Sequence, residues 1–307
     1  MPHSRSVLRG QSDDGVVPLP PIAAPPRTAA SATASVGVES VALDGVGGWR
    51  RRPCRVPILL YHRLTLGSRA HPHTLAAARF RAHLALLRRL GFRSALPAAL
   101  ADAVRRRVSL PARMVAITLD DGYLDTLTVA LPLLQEFGFS AACYLVADRV
   151  GRTSDWTDPT PLMGWGEVRE WLAAGMAVGS HTLSHRDLTR LAPAALRAEV
   201  ADSKARIEDR LGIAVGSFAY PFNRCGQREL EAVERAGYTA ACAGPELSDS
   251  LFALARLTVR DSLSWLRLQL VPAYPELRHL YLAATGRDRV RRRATALETF
   301  PGEKPHR

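Results

Sequence analysis

Short runs of apolar residues alternate along the chain with longer stretches in which apolar and polar residues mix at a helical period. The runs hold five to eight residues each, which is typical of strands buried on both faces. Seven such strands are predicted, over residues 56–62, 114–119, 140–147, 176–180, 215–220, 238–243 and 254–259. A helical stretch follows each of the first five, so the pattern predicts an α/β fold, as a parallel sheet or a barrel.

The helical stretches carry an apolar residue at every third or fourth position. In the first of them these residues are Phe80, Leu84, Leu87 and Leu90. Gly91 follows where that helix would end. The stretch from 123 to 137 contains Pro132, which predicts a kink or a late start because proline lacks the N–H that a helix interior requires. Residues 153–165 are polar and contain tryptophan, which predicts a loop of the kind that lines a substrate groove.

The second predicted strand ends in two adjacent carboxylates, Asp120 and Asp121, followed by Gly122. In α/β barrels the carboxyl ends of the strands are where active sites are built. Neighbouring carboxylates repel each other unless a cation lies between them or one of them holds a proton, and glycine lets the backbone turn sharply. The structural alternative is a cap for the following helix, which accounts for one acid but not for two.

A second polar cluster follows the fourth strand and contains His181 and His185. Two histidines four residues apart can direct both imidazoles at one cation, and a carboxylate from another strand end would complete a three-ligand site. Three protein ligands with an open position are typical of catalytic zinc, whereas structural zinc has four. A capped loop with one surface and one core histidine would show the same spacing. The pair therefore indicates a metal site only in combination with Asp120 and Asp121.

The histidines in the first part of the domain carry less information. His62 ends the first strand, but a lone histidine at such a position is more often structural than catalytic. His71 and His73 lie close together in the next loop, where solvent-exposed side chains explain them better than a metal does.

Composition adds an excess of positive charge. The chain has 41 Lys and Arg against 29 Asp and Glu, a formal net charge of +12, which favours anionic partners such as nucleic acid. Residues 287–293 form a local basic cluster, but they lack the interleaved aromatic residues that would stack on bases. We therefore expect no nucleic-acid partner, and nucleic-acid binding is a competing hypothesis that leaves the acidic and histidine clusters unexplained.

Three regions are predicted along the chain. Residues 1–50 are rich in Pro, Ser, Ala and Gly without periodicity and indicate a disordered leader, residues 51–272 form the main domain, and residues 273–307 are a basic C-terminal segment. The four cysteines have no CxxC spacing, so a zinc ribbon is not indicated. No apolar stretch reaches the ~18 residues of a transmembrane helix. Prolines interrupt the N-terminus where a signal peptide needs an apolar core, so a cytoplasmic location is expected.

The segments with candidate chemistry resemble those of a known family. Residues 118–122, Thr-Leu-Asp-Asp-Gly, resemble the Thr-Phe-Asp-Asp-Gly motif of the polysaccharide deacetylases, the NodB-homology enzymes of carbohydrate esterase family 4. Residues 180–185, Ser-His-Thr-Leu-Ser-His, resemble their Ser-His-(Ser/Thr)-x-x-His motif. The similarity covers roughly residues 55–270 and makes residues 51–272 a deacetylase-like catalytic domain. It implies a distorted (β/α)7 barrel of the NodB-homology type, in agreement with the strand count.

The resemblance also implies an activity and roles for residues. The family member expected here is a metal-dependent hydrolase that removes N-acetyl groups from an amino-sugar poly- or oligosaccharide, acting on non-peptide C–N bonds. Asp120 corresponds to the general base. The ligands of the divalent metal, expected to be zinc, are Asp121, His181 and His185. The substrate-binding third motif corresponds to Tyr220, Pro221 and Phe222. In that motif the aromatic residue after the proline offers its backbone N–H to the oxyanion.

Two features of the family are missing. Ala219 occupies the position of the arginine that orients the base, and a Leu-x-x-His motif that would supply the general acid does not follow the last strand. Residues 60–62 and 220–222 instead resemble the branch of poly-N-acetylglucosamine deacetylases, in which the acid histidine comes from the first strand. On that resemblance His62 is the acid. Arg256 is a candidate to replace the missing arginine, although the sequence gives it no further support.

The missing arginine leaves a second function open. A non-catalytic carbohydrate-binding protein on a deacetylase scaffold would bind a glycan without metal-dependent turnover. An N-acetylated glycan is the expected partner under both hypotheses, and they differ in whether acetate is released.

Overall fold

The computed structural model of the protein describes residues 56–67, 73–108, 110–111, 113–156, 158–245 and 250–270. The predicted leader at 1–50 and the predicted basic segment at 273–307 lie outside the described residues. The ends of the predicted domain at 51–272 lie outside them as well, so its boundaries stay a prediction.

Ten strands are found in the described ranges. In chain order they are β1 (Ile58–Tyr61), β2 (Arg63–Thr65), β3 (Thr74–Ala76), β4 (Arg93–Ser94), β5 (Met114–Leu119), β6 (Ala142–Leu145), β7 (Ala177–Ser180), β8 (Ser217–Ala219), β9 (Ala240–Ala243) and β10 (Leu254–Thr258). Seven of them are parallel neighbours in the order β5-β6-β7-β8-β9-β10-β1. β1 also pairs with β5, with Ile58 opposite Ala116 and Tyr61 opposite Leu119. This pairing closes a seven-stranded barrel and confirms the predicted fold class.

Seven α-helices accompany these strands within the described ranges. They are α1 (Ala77–Arg89), α2 (Pro97–Arg105), α3 (Leu131–Phe137), α4 (Trp165–Ala173), α5 (Pro193–Leu211), α6 (Gln227–Arg235) and α7 (Leu263–Leu270). Pro132 lies in the first turn of α3, behind a π-helical turn at Thr126–Ala130, so the expected late start is confirmed. The sequence pattern does not predict α2, because Leu100 is the one large aliphatic side chain that this helix buries. No helix in the described part has both the length and the apolar character that crossing a bilayer requires.

Small side chains line the interior of the barrel. Ala116, Ala142, Ala219 and Ala240 belong to one buried cluster. They leave room for two large side chains, Tyr144 and Arg256, and the Arg256 guanidinium lies 5.8 Å from the Tyr144 ring centroid. Gly179 is required beside them, because a Cβ at that position would come within 2.4 Å of Tyr144 Cε1. A buried arginine of this kind needs an anionic partner.

His83 on α1 is a buried histidine. Its ring is 0% exposed, its Nδ1 lies 3.3 Å from Tyr61 Oη, and its Nε2 has no hydrogen-bond partner in the described part of the chain. Burial first, and then the charge of Arg79, lower the pKa of His83 from 6.5 to about 4. The folded state therefore favours the neutral imidazole.

Acid is expected to weaken the fold through His83. Because the folded pKa is lowered, the stability contributed by the neutral ring is complete above pH 6.5 and is lost as the pH falls toward 4. Between pH 7 and pH 5 the free energy of unfolding should fall by about 2 kcal/mol more for the wild type than for His83→Leu. Chemical denaturation at both pH values measures this difference. Equal losses in the two proteins would contradict it.

Candidate active site

Polar side chains follow four of the barrel strands. These are His62 after β1, Asp120 and Asp121 after β5, His181 after β7 and Tyr220 after β8. Because the barrel strands are parallel, their carboxyl ends share one edge. Backbone pairing fixes their alignment, since the Asp120 N–H donates to Tyr61 O at 3.0 Å. The residues predicted from separate parts of the sequence therefore meet at one edge of the barrel.

Asp121, His181 and His185 form a compact cluster at this edge. Nε2 of His181 lies 3.4 Å from Asp121 Oδ1, and Nε2 of His185 lies 3.3 Å from the same oxygen. One potential ligand atom from each of the three residues lies within 4.8 Å of the other two. This spacing suits three ligands around a single ion.

The protonation state of His181 fits a cation in this cluster. Its Nδ1 donates to the backbone oxygen of Ala219 at 2.8 Å, so the lone pair of the neutral ring is on Nε2, the atom that faces Asp121. Burial is the main reason that the pKa of His181 is lowered to about 4, and the ring is neutral at pH 7. The buried Asp121 Oδ1 has no hydrogen-bond partner among the described residues. A lone pair opposed to a carboxylate oxygen is unfavourable unless a cation lies between them.

Glu199 on α5 holds the loop that carries the two histidines. Its Oε2 accepts the N–H of Leu183 at 3.0 Å and that of Ser184 at 2.8 Å, and its Oε1 accepts the Ser184 hydroxyl. The Thr182 hydroxyl accepts the His185 N–H at 2.9 Å. The spacing of the histidines therefore comes from a turn fixed by a buried carboxylate, and not from a helix.

Non-glycine residues with positive φ are concentrated in the site segments. Of the seven found in the described ranges, five are Asp121, Thr182, His185, Phe222 and Asn223. Left-handed backbone is unfavourable for residues with a Cβ and persists where surrounding contacts enforce it, often at functional sites. Gly122, with φ of +77°, continues the turn after Asp121, and a Cβ there would come within 2.9 Å of Leu145 Cδ2. The expected sharp turn at this glycine is therefore present.

Asp120 pairs with an arginine from the last barrel strand. Arg256 on β10 donates from Nη1 to Asp120 Oδ1 at 2.7 Å and from Nη2 to Oδ2 at 2.8 Å, and Nη2 also donates to Asn223 Oδ1 at 2.9 Å. Burial is the largest influence and would raise the pKa of the Asp120 carboxyl. The charge and hydrogen bonds of Arg256, together with the nearby His181 and His62, outweigh it, and the pKa is lowered. Asp120 is therefore an ionised carboxylate, and its Oδ2 lies 3.9 Å from His181 Nε2.

The sequence offered Arg256 only as an unsupported candidate for the missing arginine, and it did not indicate Glu199. Ala219 stands where the resembled motif has its arginine, and the structure places the Arg256 guanidinium on Asp120 instead. The available signal was one charged residue inside an otherwise apolar strand, but its partner is 136 positions away and no local pattern connects the two. Glu199 sits in an amphipathic helix, where an acid ordinarily faces solvent.

His62 is half buried at the same edge and contacts His73. The two ring centroids are 4.9 Å apart. Burial lowers the pKa of His62, against the opposing charges of Asp121 and Asp120. His73 is not part of the Asp121, His181 and His185 cluster, and His71 lies outside the described residues.

Aromatic rings enclose His185. Trp156, from the predicted loop, stacks on it with ring centroids 4.2 Å apart and planes inclined by 30°. Phe222 lies 5.0 Å from the same ring and is 54% exposed. Tyr220 is buried and its hydroxyl donates to a backbone carbonyl at 3.0 Å, and Pro221 is buried as well. Of the three predicted substrate-binding residues, Phe222 therefore offers an exposed side chain.

A family model covers the part of the chain that carries most of this site. The model described as polysaccharide deacetylase matches residues 107–241, which include Asp120 and the cluster of Asp121, His181 and His185. This part of the chain is similar to the polysaccharide deacetylases. The match supports deacetylation of a polysaccharide as the activity.

A curated protein of the same description is similar over most of the domain. The Bacillus subtilis (strain 168) protein named "Putative polysaccharide deacetylase YxkH" is 26% identical over 227 residues, which cover 72% of this chain and 78% of that protein.

Several solved structures are similar in fold. The Streptococcus pyogenes deacetylase PplD in complex with acetate has a TM-score of 0.61 at 22% identity, covering 68% of this chain and 93% of that one. IcaB from Ammonifex degensii has a TM-score of 0.61 at 23% identity, covering 70% and 95%. A de-N-acetylase from Aggregatibacter actinomycetemcomitans has a TM-score of 0.61 at 18% identity, covering 70% and 99%. At these identities the likeness shows the shared barrel.

Proposed function

We propose that the protein removes N-acetyl groups from an amino-sugar poly- or oligosaccharide by metal-dependent hydrolysis. The observation that carries the proposal is the ionised Asp120, held by Arg256, next to three side chains whose facing atoms suit one cation. A carboxylate kept ionised beside a cation site is the arrangement that a general base needs. N-acetylglucosamine is the proposed sugar, on the resemblance to the poly-N-acetylglucosamine deacetylases.

Asp121, His181 and His185 would hold the divalent ion. We propose zinc, because two imidazole nitrogens and one carboxylate oxygen are a common three-ligand set for catalytic zinc. Bound there, the ion would polarise the acyl carbonyl and lower the pKa of a water molecule. Glu199, which fixes the turn of the two histidines, would keep these ligands in place.

Side chains and backbone groups of the protein would carry out the proton transfers and stabilise the oxyanion. Asp120 takes a proton from the attacking water. The Phe222 N–H donates to the oxyanion that forms at the carbonyl carbon. His62 in its protonated form donates a proton to the departing nitrogen, so that the C–N bond breaks to leave a neutral amine. The products are acetate and a free amino sugar.

An N-acetyl group is favoured over an O-acetyl group by two considerations. An amine is a poor leaving group unless it is protonated, and a histidine near the base and the metal cluster supplies the acid that this reaction requires. One of the similar structures is of a de-N-acetylase by name. A non-catalytic glycan-binding role was suggested because the motif arginine that orients the base is missing. Arg256 pairs with Asp120 instead, so the missing motif arginine no longer argues against catalysis.

Removal and return of metal tests the proposed function. Purified protein is expected to release acetate from N-acetylglucosamine oligomers, to lose this activity after dialysis against a chelator, and to regain it when about one zinc ion per chain is added back. Acetate release and metal content are measured on the same samples. Unchanged turnover in protein shown to be free of metal would contradict the proposal.

A further inference from the structure

A cavity of about 640 Å³ lies outside the cluster of Asp121, His181 and His185. It is formed by residues that follow β6 and by side chains of α4 and α5. The polar and aromatic side chains that line it are Asp148, Arg152, Trp165, Arg206, Asp209 and Arg210. Its volume falls within the range of small-ligand sites, which is roughly 300 to 1,000 Å³.

The lining combines an aromatic ring with charges of both signs. The Arg210 guanidinium lies 6.0 Å from the centroid of the half-buried Trp165 ring, and Arg206 pairs with Asp148 across the cavity wall. An indole face offers apolar area to the C–H face of a sugar, while guanidinium donors and carboxylate acceptors suit its hydroxyl groups. A site for a simple anion would not place Asp148 and Asp209 among the arginines. The lining therefore favours a pyranose ring.

A hydrogen-bond bridge fixes the two helices that form the cavity. Arg169 on α4 donates from Nη1 to the backbone oxygen of Trp165 at 3.2 Å. From Nη2 it donates to the backbone oxygen of Arg210 on α5 at 2.9 Å. The same side chain thus ties together the segments that carry the ring and the guanidinium, so the cavity is formed before a ligand arrives.

The cavity is connected to the loop of the two histidines. The Asp148 N–H donates to Leu183 O at 2.8 Å, and the Ala147 N–H donates to Thr182 O at 3.1 Å. The cavity wall and the loop with His181 therefore share backbone hydrogen bonds at the same edge of the barrel. A glycan chain with one unit at the cluster would extend along this edge toward Trp165.

We propose that this cavity binds a sugar unit of the glycan at a distance from the unit that is deacetylated. The proposal rests on the proposed function for the identity of the glycan. It predicts a preference for oligomers that are long enough to occupy the cluster and the cavity together. Trp165 and Arg152 are then specificity-determining residues for chain length.

Binding measurements separate this proposal from the proposed activity. Titration calorimetry is carried out with dimers and hexamers of N-acetylglucosamine in the Asp120→Asn background, so that the ligand is not consumed. Trp165→Ala is expected to weaken hexamer binding about tenfold and to leave dimer binding unchanged, and Trp165→Phe should retain most of the affinity. Arg152 has an exposed side chain, and Arg152→Ala should weaken hexamer binding and leave dimer binding unchanged. Arg235→Ala, an exposed arginine on α6, is the matched control and should change neither.

The outcomes distinguish the two claims. Equal affinity for dimer and hexamer, or hexamer binding unaffected by both Trp165→Ala and Arg152→Ala, would overturn the sugar subsite even if the wild type releases acetate. Selective loss of hexamer binding supports the subsite even if no protein releases acetate, a result that would overturn the deacetylase proposal alone. Should Trp165→Ala fail to fold, Arg152→Ala decides, because its side chain is exposed and supports no core packing.

Discussion

Replacing Asp120 by asparagine is expected to lower the rate of acetate release by about 10²- to 10⁴-fold, the usual contribution of a general base. Asparagine keeps the shape of the side chain but cannot accept a proton from water at neutral pH. Asp120 Oδ2 is 3.9 Å from His181 Nε2 and is occupied by Arg256, so it is not placed as a metal ligand. The variant should therefore bind as much metal as the wild type. Initial rates and metal content of the same samples measure both quantities.

Asp121→Asn is the matched control for this prediction. The two aspartates are adjacent and both are buried, but Asp121 Oδ1 faces both imidazoles. Its replacement should lower metal content and activity together, whereas Asp120→Asn should lower activity alone. Near-wild-type turnover by Asp120→Asn with normal metal content would remove Asp120 from the role of base.

Replacing Arg256 by methionine is expected to affect both stability and pH dependence. The change leaves Asp120 buried without its two hydrogen bonds from guanidinium, and breaking a buried pair in this way costs about 3 to 5 kcal/mol. Arg256 holds the pKa of the Asp120 carboxyl below its ordinary value. Without it that pKa rises, so the acidic limb of the pH-rate profile should move to higher pH. Denaturation and a pH series of initial rates measure the two effects.

Two further variants separate the charge of Arg256 from its hydrogen-bond geometry in setting the acidic limb of the pH-rate profile. Arg256→Lys retains the charge but not the planar pair of donors, so its acidic limb should lie between those of the wild type and Arg256→Met. Asn223→Ala removes a single acceptor from the guanidinium and leaves Asp120 paired, so it should shift the limb least. An unmoved acidic limb in Arg256→Met, measured on folded protein, would show that the arginine supports the barrel without tuning the base.

The barrel strands were predictable because each carries its own signal. β5 is six consecutive buried residues between polar neighbours, and such a run is typical of a strand covered on both faces wherever it occurs. The positions of Asp120 and of His181 at strand ends followed from the same runs. The short β4, with two residues, and the single-turn elements are too brief to have a period, so the sequence does not predict them.

Contacts between distant segments were not predictable in the same way. Arg256 reaches Asp120 because β10 and β5 both adjoin β1 in the closed ring, and ring closure is a property of the whole barrel. Glu199 binds the His181–His185 loop through backbone N–H groups, which any sequence would offer. The stacking of Trp156 on His185 depends on the path of a loop without regular structure. These contacts could be identified only from the folded structure.

The neighbouring aspartates point to separate counterparts on different strands of the ring. Asp120 meets a guanidinium from β10, and Asp121 meets imidazoles that follow β7. The guanidinium compensates the charge of Asp120, and a cation held with the imidazoles would compensate that of Asp121, so neither carboxylate needs the other's proton. As a result, substitutions near the end of β10 should act first on the proton acceptor, and substitutions after β7 should act first on the proposed metal ligands.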